Sequence, residues 1–279
     1  MFPLNEFISA ALHEDVQSGD HTSLACIDAR DADTAVLKIK DNGIIAGVEL
    51  AEAIFKFVNP ELQFIRGLKD GTSVSKGMEA FTVQGSTRDL LTTERLVLNC
   101  MQRMSGIATL TSQFVQAVAG TQAKILDTRK TTPLFRFFEK WAVLIGGGQN
   151  HRFGLFDMIL IKDNHIDGCG GIVSAINNAN AYLRQNNLSL KIEIEARTLE
   201  DIELICKIGN VQRILIDNFT PEAMHKAVKL IDKKFETEAS GGITLDTVRS
   251  YAETGVDYIS TGALTHSYRS LDLSFKIQK

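Results

Sequence analysis

The stretch KIEIEARTLEDIELICKIGNVQRILIDN, residues 191–218, decides the fold. It opens on a short apolar run, Lys191 to Ile194, closed by Glu195. Leu199, Ile202 and Ile205 then keep helical spacing, and a second run, Arg213 to Ile216, ends in Asp217-Asn218. Strand, helix and strand in that order make a parallel pair, because the helix carries the chain back across the sheet.

The same pattern extends in both directions. Further apolar runs stand at Lys124 to Leu126, Met158 to Ile161, Glu236 to Ala239 and Asp257 to Ile259. Ile172/Ala175/Ile176/Ala179, Ala223/Ala227/Val228/Ile231 and Leu245/Val248/Ala252 hold helical spacing between them. The later units recur every ~20–25 residues, within the usual size of a βα unit. Six units predict a parallel α/β barrel, complete or incomplete; a doubly wound open sheet is the alternative. Residues 113–267 form this barrel domain.

Residues 1–112 read as a separate mixed α+β domain, on which the C-terminal tail 268–279 is available to pack. Leu4, Phe7, Ile8, Ala11 and Leu12 keep helical spacing, as do Val48, Ala51, Ile54, Phe55 and Val58, and Ala35 to Lys40 alternates as a strand does. A long helix is expected to start near Thr93, with Glu94 in its first turn. Arg95, Asn99 and Arg103 fall on one polar face of it, which spacing alone reads as a solvated stripe.

Composition narrows the function. A hydrophobic share of 44% and a charged share of 23% fit a soluble globular chain of 279 residues. The longest apolar runs are too short to span a bilayer, and Met-Phe-Pro-Leu-Asn-Glu at the N-terminus has neither a basic head nor a long apolar stretch. No membrane partner and no signal peptide are therefore expected. Cys26, Cys100, Cys169 and Cys206 show no metal-ligand spacing and read as reduced cytoplasmic thiols. A net charge of −4 argues against nucleic acid, which usually meets a basic excess.

The ends of the six runs differ in chemistry. Asp127-Thr128-Arg129-Lys130 follows the first and Lys162-Asp163-Asn164-His165 the second; Glu195 closes the third and Asp217-Asn218 the fourth. Ser240-Gly241-Gly242 follows the fifth and Ser260-Thr261-Gly262-Ala263 the sixth. In a parallel barrel these ends converge on the face that carries the active site. Solvated loops explain any single polar end, but not the sorting of charge type by strand. Arg129, Lys130, His151, Arg152 and Lys162 form a cationic sector around Gly146-Gly147-Gly148, which is costly without an anion and so implies a small, multiply anionic substrate. Glu195 and Asp217 suit ribose hydroxyls or a water-mediated Mg²⁺, and equally suit ordinary strand-end ion pairs. The glycines after the last two strands let backbone N–H groups approach a phosphate.

The ordered segments Asp127-Thr-Arg-Lys-Thr-Thr-Pro133, Gly146-Gly-Gly-Gln-Asn-His-Arg152 and Leu160-Ile-Lys-Asp-Asn-His165 closely resemble signatures of the quinolinate phosphoribosyltransferases. Glu94-Arg95 through Ser105-Gly-Ile-Ala-Thr109, Ala239-Ser-Gly-Gly-Ile243 and Thr254 through Ser267 do the same, and the similarity runs through nearly the whole chain. The resemblance implies an N-terminal α/β sandwich joined to an open α/β barrel, in a homodimer with shared sites and room for a higher oligomer. It implies that quinolinate and phosphoribosyl pyrophosphate, with Mg²⁺ as cofactor, give nicotinate mononucleotide, pyrophosphate and CO₂ in de novo NAD biosynthesis. Carried over position by position, Arg129, His151, Arg152 and Lys162 hold the quinolinate carboxylates, with Arg95 reaching in from the partner subunit. Lys130 faces the pyrophosphate or ribose, and Glu195 and Asp217 take the ribose hydroxyls and the metal. Ser240, Gly241, Gly242, Gly262 and Ala263 cradle the 5′-phosphate. Lys130, Lys162, Glu195 and Asp217 carry the catalytic roles. The family pattern has glycine after the proline of the first signature, where this chain has Leu134, which implies a stiffer loop.

Three other readings compete. Lys162, at a barrel strand end, could form a Schiff base with a carbonyl substrate, but that leaves the glycine turns and the acidic pair without a joint role. A paralogue with another acceptor would have less use for the full carboxylate-binding set. A non-catalytic sensor of a phosphorylated metabolite would need fewer groups than Lys130, Glu195 and Asp217 provide.

Overall fold

A computed structural model describes residues 3–278. In chain order its elements are α1 (Leu4–Val16), α2 (His21–Cys26), β1 (Ala32–Ile39), β2 (Gly43–Ile44), α3 (Val48–Val58), β3 (Gln63–Arg66), β4 (Ser73–Val74), β5 (Glu79–Ser86) and α4 (Thr87–Ala117). There follow β6 (Lys124–Leu126), α5 (Arg136–Ile145), β7 (Ile159–Ile161), α6 (Asp163–Gly168), α7 (Ile172–Gln185), β8 (Ile192–Ala196) and α8 (Leu199–Ile208). The chain closes with β9 (Arg213–Asp217), α9 (Pro221–Ile231), β10 (Glu236–Ser240), α10 (Val248–Ala252), β11 (Tyr258–Ser260), α11 (Ala263–His266) and β12 (Leu273–Gln278). They sort into two compact units, one reaching up to Ser112 with Pro133–Gly147 and the chain from Tyr268 onward, the other made of Gln113–Thr132 and Gly148–Ser267.

The first unit is built on an antiparallel sheet in the order β12-β1-β5-β3. The alternation read from Ala35 onward puts Ala35, Leu37 and Ile39 of β1 in the core, with Val36 buried as well. α3 buries Val48, Ala51, Ile54 and Phe55, the stripe its sequence shows. Phe55 ties helix to sheet, its ring 5.7 Å from Phe275 and 6.2 Å from both Phe64 and Phe81. α4 begins at Thr87, earlier than the expected cap at Thr93. Thr93 is buried inside the helix and its hydroxyl donates to the Asp89 carbonyl one turn back, so it packs instead of capping. Arg103 also departs from a solvated stripe. Its Nε donates to the fully buried Glu139 of α5 at 2.8 Å, and its guanidinium lies 5.1 Å from the Tyr268 ring.

The second unit holds six parallel strands in the order β6-β11-β10-β9-β8-β7. Apart from β6 this order follows the chain, the cyclic order of a barrel, whereas a doubly wound sheet would reverse direction at its middle. β6 and β7, which would pair if the barrel closed, stand at opposite edges. The connection between them contains α5, which belongs to the first unit. The other crossover helices bury the expected faces: Ile172, Ala175 and Ile176 on α7, Ile202 and Ile205 on α8, and Ala227 and Ile231 on α9. Thr198 and Thr220 cap α8 and α9 with their hydroxyls.

Leu134 adopts a left-handed backbone, φ 64°, with its side chain 90% exposed. The glycine that the resemblance implies at this position would have a conformational reason, and leucine gains no burial in exchange. The left-handed region costs a non-glycine residue ~1–2 kcal/mol, against ~0.5–1 kcal/mol for the greater freedom of an unfolded glycine. Leu134→Gly is therefore expected to stabilise the protein by about 0.5 kcal/mol, seen as a higher urea midpoint at unchanged slope. A lower midpoint would mean that the leucine packs on something.

Candidate active site

At the C-terminal ends of the second unit's strands lie two connected pockets. The larger, about 590 Å³, is walled by Glu195 of β8, Asp217 of β9, Ser240 with Gly241 and Gly242 after β10, and Gly262 with Ala263 after β11. The smaller, about 280 Å³, is walled by Arg129, His151, Arg152 and Leu160. Lys130, Lys162, Ser240 and Ser260 line both, so the two spaces share a wall. A wider depression of about 850 Å³ opens at the opposite ends of the strands, among Lys124, Lys191 and Lys233. That end of a parallel barrel carries the turns that stabilise the fold, not the loops that carry chemistry.

The glycines of the larger pocket are there for space as well as for torsion. Gly241 has φ +101°, and a Cβ on it would collide with the Asn218 side-chain oxygen. A Cβ on Gly262 would meet the Lys130 stem at 2.7 Å and His266 Nε2 at 2.9 Å. His266 therefore stands in the pocket wall, its Nδ1 2.7 Å from the Ser267 hydroxyl. His165 instead serves the backbone, accepting from the Lys162 N–H at the start of α6. Lys130 is pinned at its main chain, its carbonyl accepting from Thr265 Oγ1 at 2.8 Å. Glu195 is 8% exposed, and its carboxyl is held above the usual range by burial first, then by the nearby Asp217 and Asp163.

In the smaller pocket Arg129 keeps a buried Nε without a hydrogen-bond partner, a donor aimed at no acceptor of the protein. Arg152 spends one N–H on the Met158 carbonyl, and burial and then Arg129 depress its guanidinium pKa. The segment carrying it is anchored by the His151 N–H, which donates to the fully buried Asp127 at 2.9 Å. Both ring nitrogens of His151 are engaged. Nδ1 accepts from the Arg152 N–H at 2.7 Å, and Nε2 lies 2.9 Å from Glu193 Oε2 and 3.5 Å from Glu238 Oε2. Arg95 lies exposed on α4 of the first unit.

Glu193 and Glu238, both fully buried, are the members of the site that sequence reading passed over. Their signal was present as charge inside strands, in Ile192-Glu193-Ile194-Glu195 and Glu236-Thr237-Glu238. Charge inside a strand lacks the loop position at which ligand-binding groups are expected.

A glycine-lined pocket with an acidic pair and a cation-walled pocket, joined at the C-terminal ends of a parallel barrel, are the layout of an α/β-barrel enzyme with room for two anionic groups. The chain belongs to the quinolinate phosphoribosyl transferase family, whose N-terminal domain matches residues 20–105 and whose C-terminal domain matches residues 107–276. It is 45% identical over 291 residues to the chloroplastic nicotinate-nucleotide pyrophosphorylase [carboxylating] of Arabidopsis thaliana, covering 99% of this chain and 83% of that protein. With the probable nicotinate-nucleotide pyrophosphorylase [carboxylating] of Bacillus subtilis it shares 40% identity over 98% of this chain and 93% of the other. The crystal structure of NadC from Streptococcus pyogenes, 37% identical, superposes with a TM-score of 0.93 over 100% of this chain and 98% of that one.

Burial, above all, pushes the carboxyls of Glu193 and Glu238 up to about 7, and for Glu238 the neighbouring Glu193 adds to the rise. The folded state then keeps protons that the unfolded chain releases at lower pH. The resulting stability is fully present below the ordinary glutamate range and is lost as pH rises through about 7. The urea midpoint is expected to fall between about pH 5 and pH 8, and to fall less steeply in Glu238→Gln. Equal slopes in the two proteins would show that Glu238 does not carry the effect.

Proposed function

We propose that the smaller pocket holds quinolinate and the larger one phosphoribosyl pyrophosphate, the two substrates of the reaction that defines the family. The chain transfers the phosphoribosyl group to quinolinate with decarboxylation, giving nicotinate mononucleotide, pyrophosphate and CO₂ in NAD biosynthesis. The shared wall of the two pockets carries this reading. Lys130, Lys162 and Ser240 belong to both, so an acceptor ring in one meets a ribose in the other without crossing solvent.

Arg129, His151, Arg152 and Lys162 hold the two carboxylates, and the unpartnered Arg129 Nε is the donor most in need of one. Gly241, Gly242, Gly262 and Ala263, with Ser240, cradle the 5′-phosphate, while Glu195 and Asp217 accept from the ribose hydroxyls. Held in this way, the pyridine nitrogen attacks the anomeric carbon as pyrophosphate leaves. Glu195 and Asp217 tolerate the positive charge that grows on the ribose, and Lys130 meets the negative charge of the leaving group. The ring nitrogen, now cationic, stabilises the carbanion left when the adjacent carboxylate departs as CO₂, and the carbanion then takes a proton. The cations must hold that carboxylate without locking it, which favours a pocket whose positive charge is partly offset.

Glu195 and Asp217 also fit Mg²⁺. They are hard oxygen donors, and the raised pKa of Glu195, caused in part by Asp217 and Asp163, marks an anionic cluster that a divalent cation would relieve. When bound, the ion neutralises charge on the pyrophosphate. We further assign the cytoplasm as the compartment, supported by four cysteines that all stand free. Among the described residues no helix is long and apolar enough to cross a membrane.

Release of CO₂ from 2-carboxyl-labelled quinolinate should require both phosphoribosyl pyrophosphate and Mg²⁺. A folded protein that releases no label would sink the substrate assignment and turn attention to other acceptors.

The exposed Arg95 reaches, on this reading, the quinolinate pocket of a second copy in a homodimer. Arg95→Ala and Arg152→Ala should each abolish saturation by quinolinate. Coexpressed, they should regain roughly a quarter of the activity, because half the dimers are mixed and each mixed dimer has one intact site. Absence of recovery would place Arg95 outside the neighbouring site.

A further inference from the structure

Beneath the cationic pocket lies an ionic cluster for which the reaction gives no role. The inward positions of a parallel barrel are normally filled by branched apolar side chains. Here β8, β9 and β10 bury Glu193, Arg213 and Glu238 instead. Glu193 and Glu238 are both 0% exposed, and three of their four carboxylate oxygens make no hydrogen bond: Glu193 Oε1 and Oε2, and Glu238 Oε1. The 2.9 Å approach of His151 Nε2 to Glu193 Oε2 is thus a polar contact with the ring N–H off line. Burying carboxylates under-bonded in this way costs several kcal/mol of stability in general, and apolar residues of similar size usually do as well or better there. Stability therefore does not explain why they are present.

Their geometry does. Arg213 is clamped below, its Nε donating to Glu236 at 3.1 Å and its guanidinium 4.1 Å from the Tyr258 ring. From that base Arg213 Nη1 donates to Glu238 Oε2 at 2.9 Å, and the same oxygen lies 3.5 Å from His151 Nε2. Glu193 meets His151 from β8. The far ring nitrogen of His151 accepts from the Arg152 N–H, so a fixed ring fixes the main chain from which the Arg152 guanidinium projects. Glu193 also offsets part of the repulsion that Arg129 exerts on Arg152. A chain of contacts thus runs from the floor of the barrel to the acceptor pocket.

We propose that Glu193 and Glu238, braced by Arg213, are positioning residues for the acceptor: they orient His151 and, through its ring, Arg152. The inference rests on the reading that His151 and Arg152 serve quinolinate, and the test separates the two.

Steady-state kinetics in both substrates would be measured for His151→Ala, Arg152→Ala, Glu193→Ala, Glu193→Gln and Glu238→Gln, and for the double variant Glu193→Ala/His151→Ala. Glu193→Ala should raise the KM for quinolinate roughly tenfold, as loss of orientation does, and leave the KM for phosphoribosyl pyrophosphate within about twofold. Glu193→Gln keeps an acceptor oxygen and should recover part of the loss. In the double variant the Glu193 substitution should add nothing to His151→Ala, because the two act through one another. A KM rising equally for both substrates, or additive effects in the double variant, would reduce the glutamates to structural residues and overturn the proposal. Should the alanine variants fail to fold, the glutamine variants decide: a quinolinate-specific rise in KM supports positioning, and unchanged constants overturn it. If His151→Ala and Arg152→Ala themselves leave the quinolinate KM unchanged, it is the substrate assignment that fails.

Discussion

Parallel strands joined by helical crossovers must all point their C-terminal ends the same way, and the rest of the second unit follows from that constraint. Arg129 and Lys130, Lys162, Glu195, Asp217, Ser240 and Gly262 are scattered through the chain, yet each stands just at or beyond the end of its own strand. The sheet collects them into one mouth with no further folding device. The same constraint explains where the barrel is open. Five strands follow one another in order with a helix between each, whereas the connection from β6 to β7 gives its helix, α5, to the first unit.

Within that mouth the two pockets are made of different materials. The larger pocket is largely backbone and small side chains on its glycine wall, with the left-handed Gly241 packed so closely on Asn218 that no side chain could be added. The smaller pocket is walled by long cationic side chains, which need bracing because each carries several rotatable bonds. Arg152 obtains it from the Met158 carbonyl and the His151 ring, and His151 in turn from Asp127, Glu193 and Glu238. Small substrate anions are recognised less by the number of cations than by how firmly those cations are held, which is what preorganisation contributes to binding and catalysis.

Charge balance connects the two sides. The buried glutamates stand beneath the cations, and the acidic pair Glu195 and Asp217 stands beside Lys162, so neither sign accumulates unopposed. The arrangement lowers overall stability, since buried carboxylates are expensive, and it leaves the smaller pocket with positive charge that is partly offset.

The sequence by itself determined the class of each segment. Apolar runs of strand length with helical stripes between them specify alternating β and α elements, because side-chain period is a local property of the backbone. It also placed the cationic, acidic and glycine sectors, since strand ends can be read wherever an apolar run stops. Tertiary structure decided what depends on distance through space. That Arg103 finds Glu139 instead of solvent, and that α5 joins the first unit, are outcomes of contacts distant in sequence with no local signature. The same holds for Glu193 and Glu238: alternation shows that they share a face with the active residues of their strands, but only the packed barrel sets them 2.9 and 3.5 Å from one histidine ring. Local sequence fixes which way a side chain points, and the closing of the sheet fixes what it meets there.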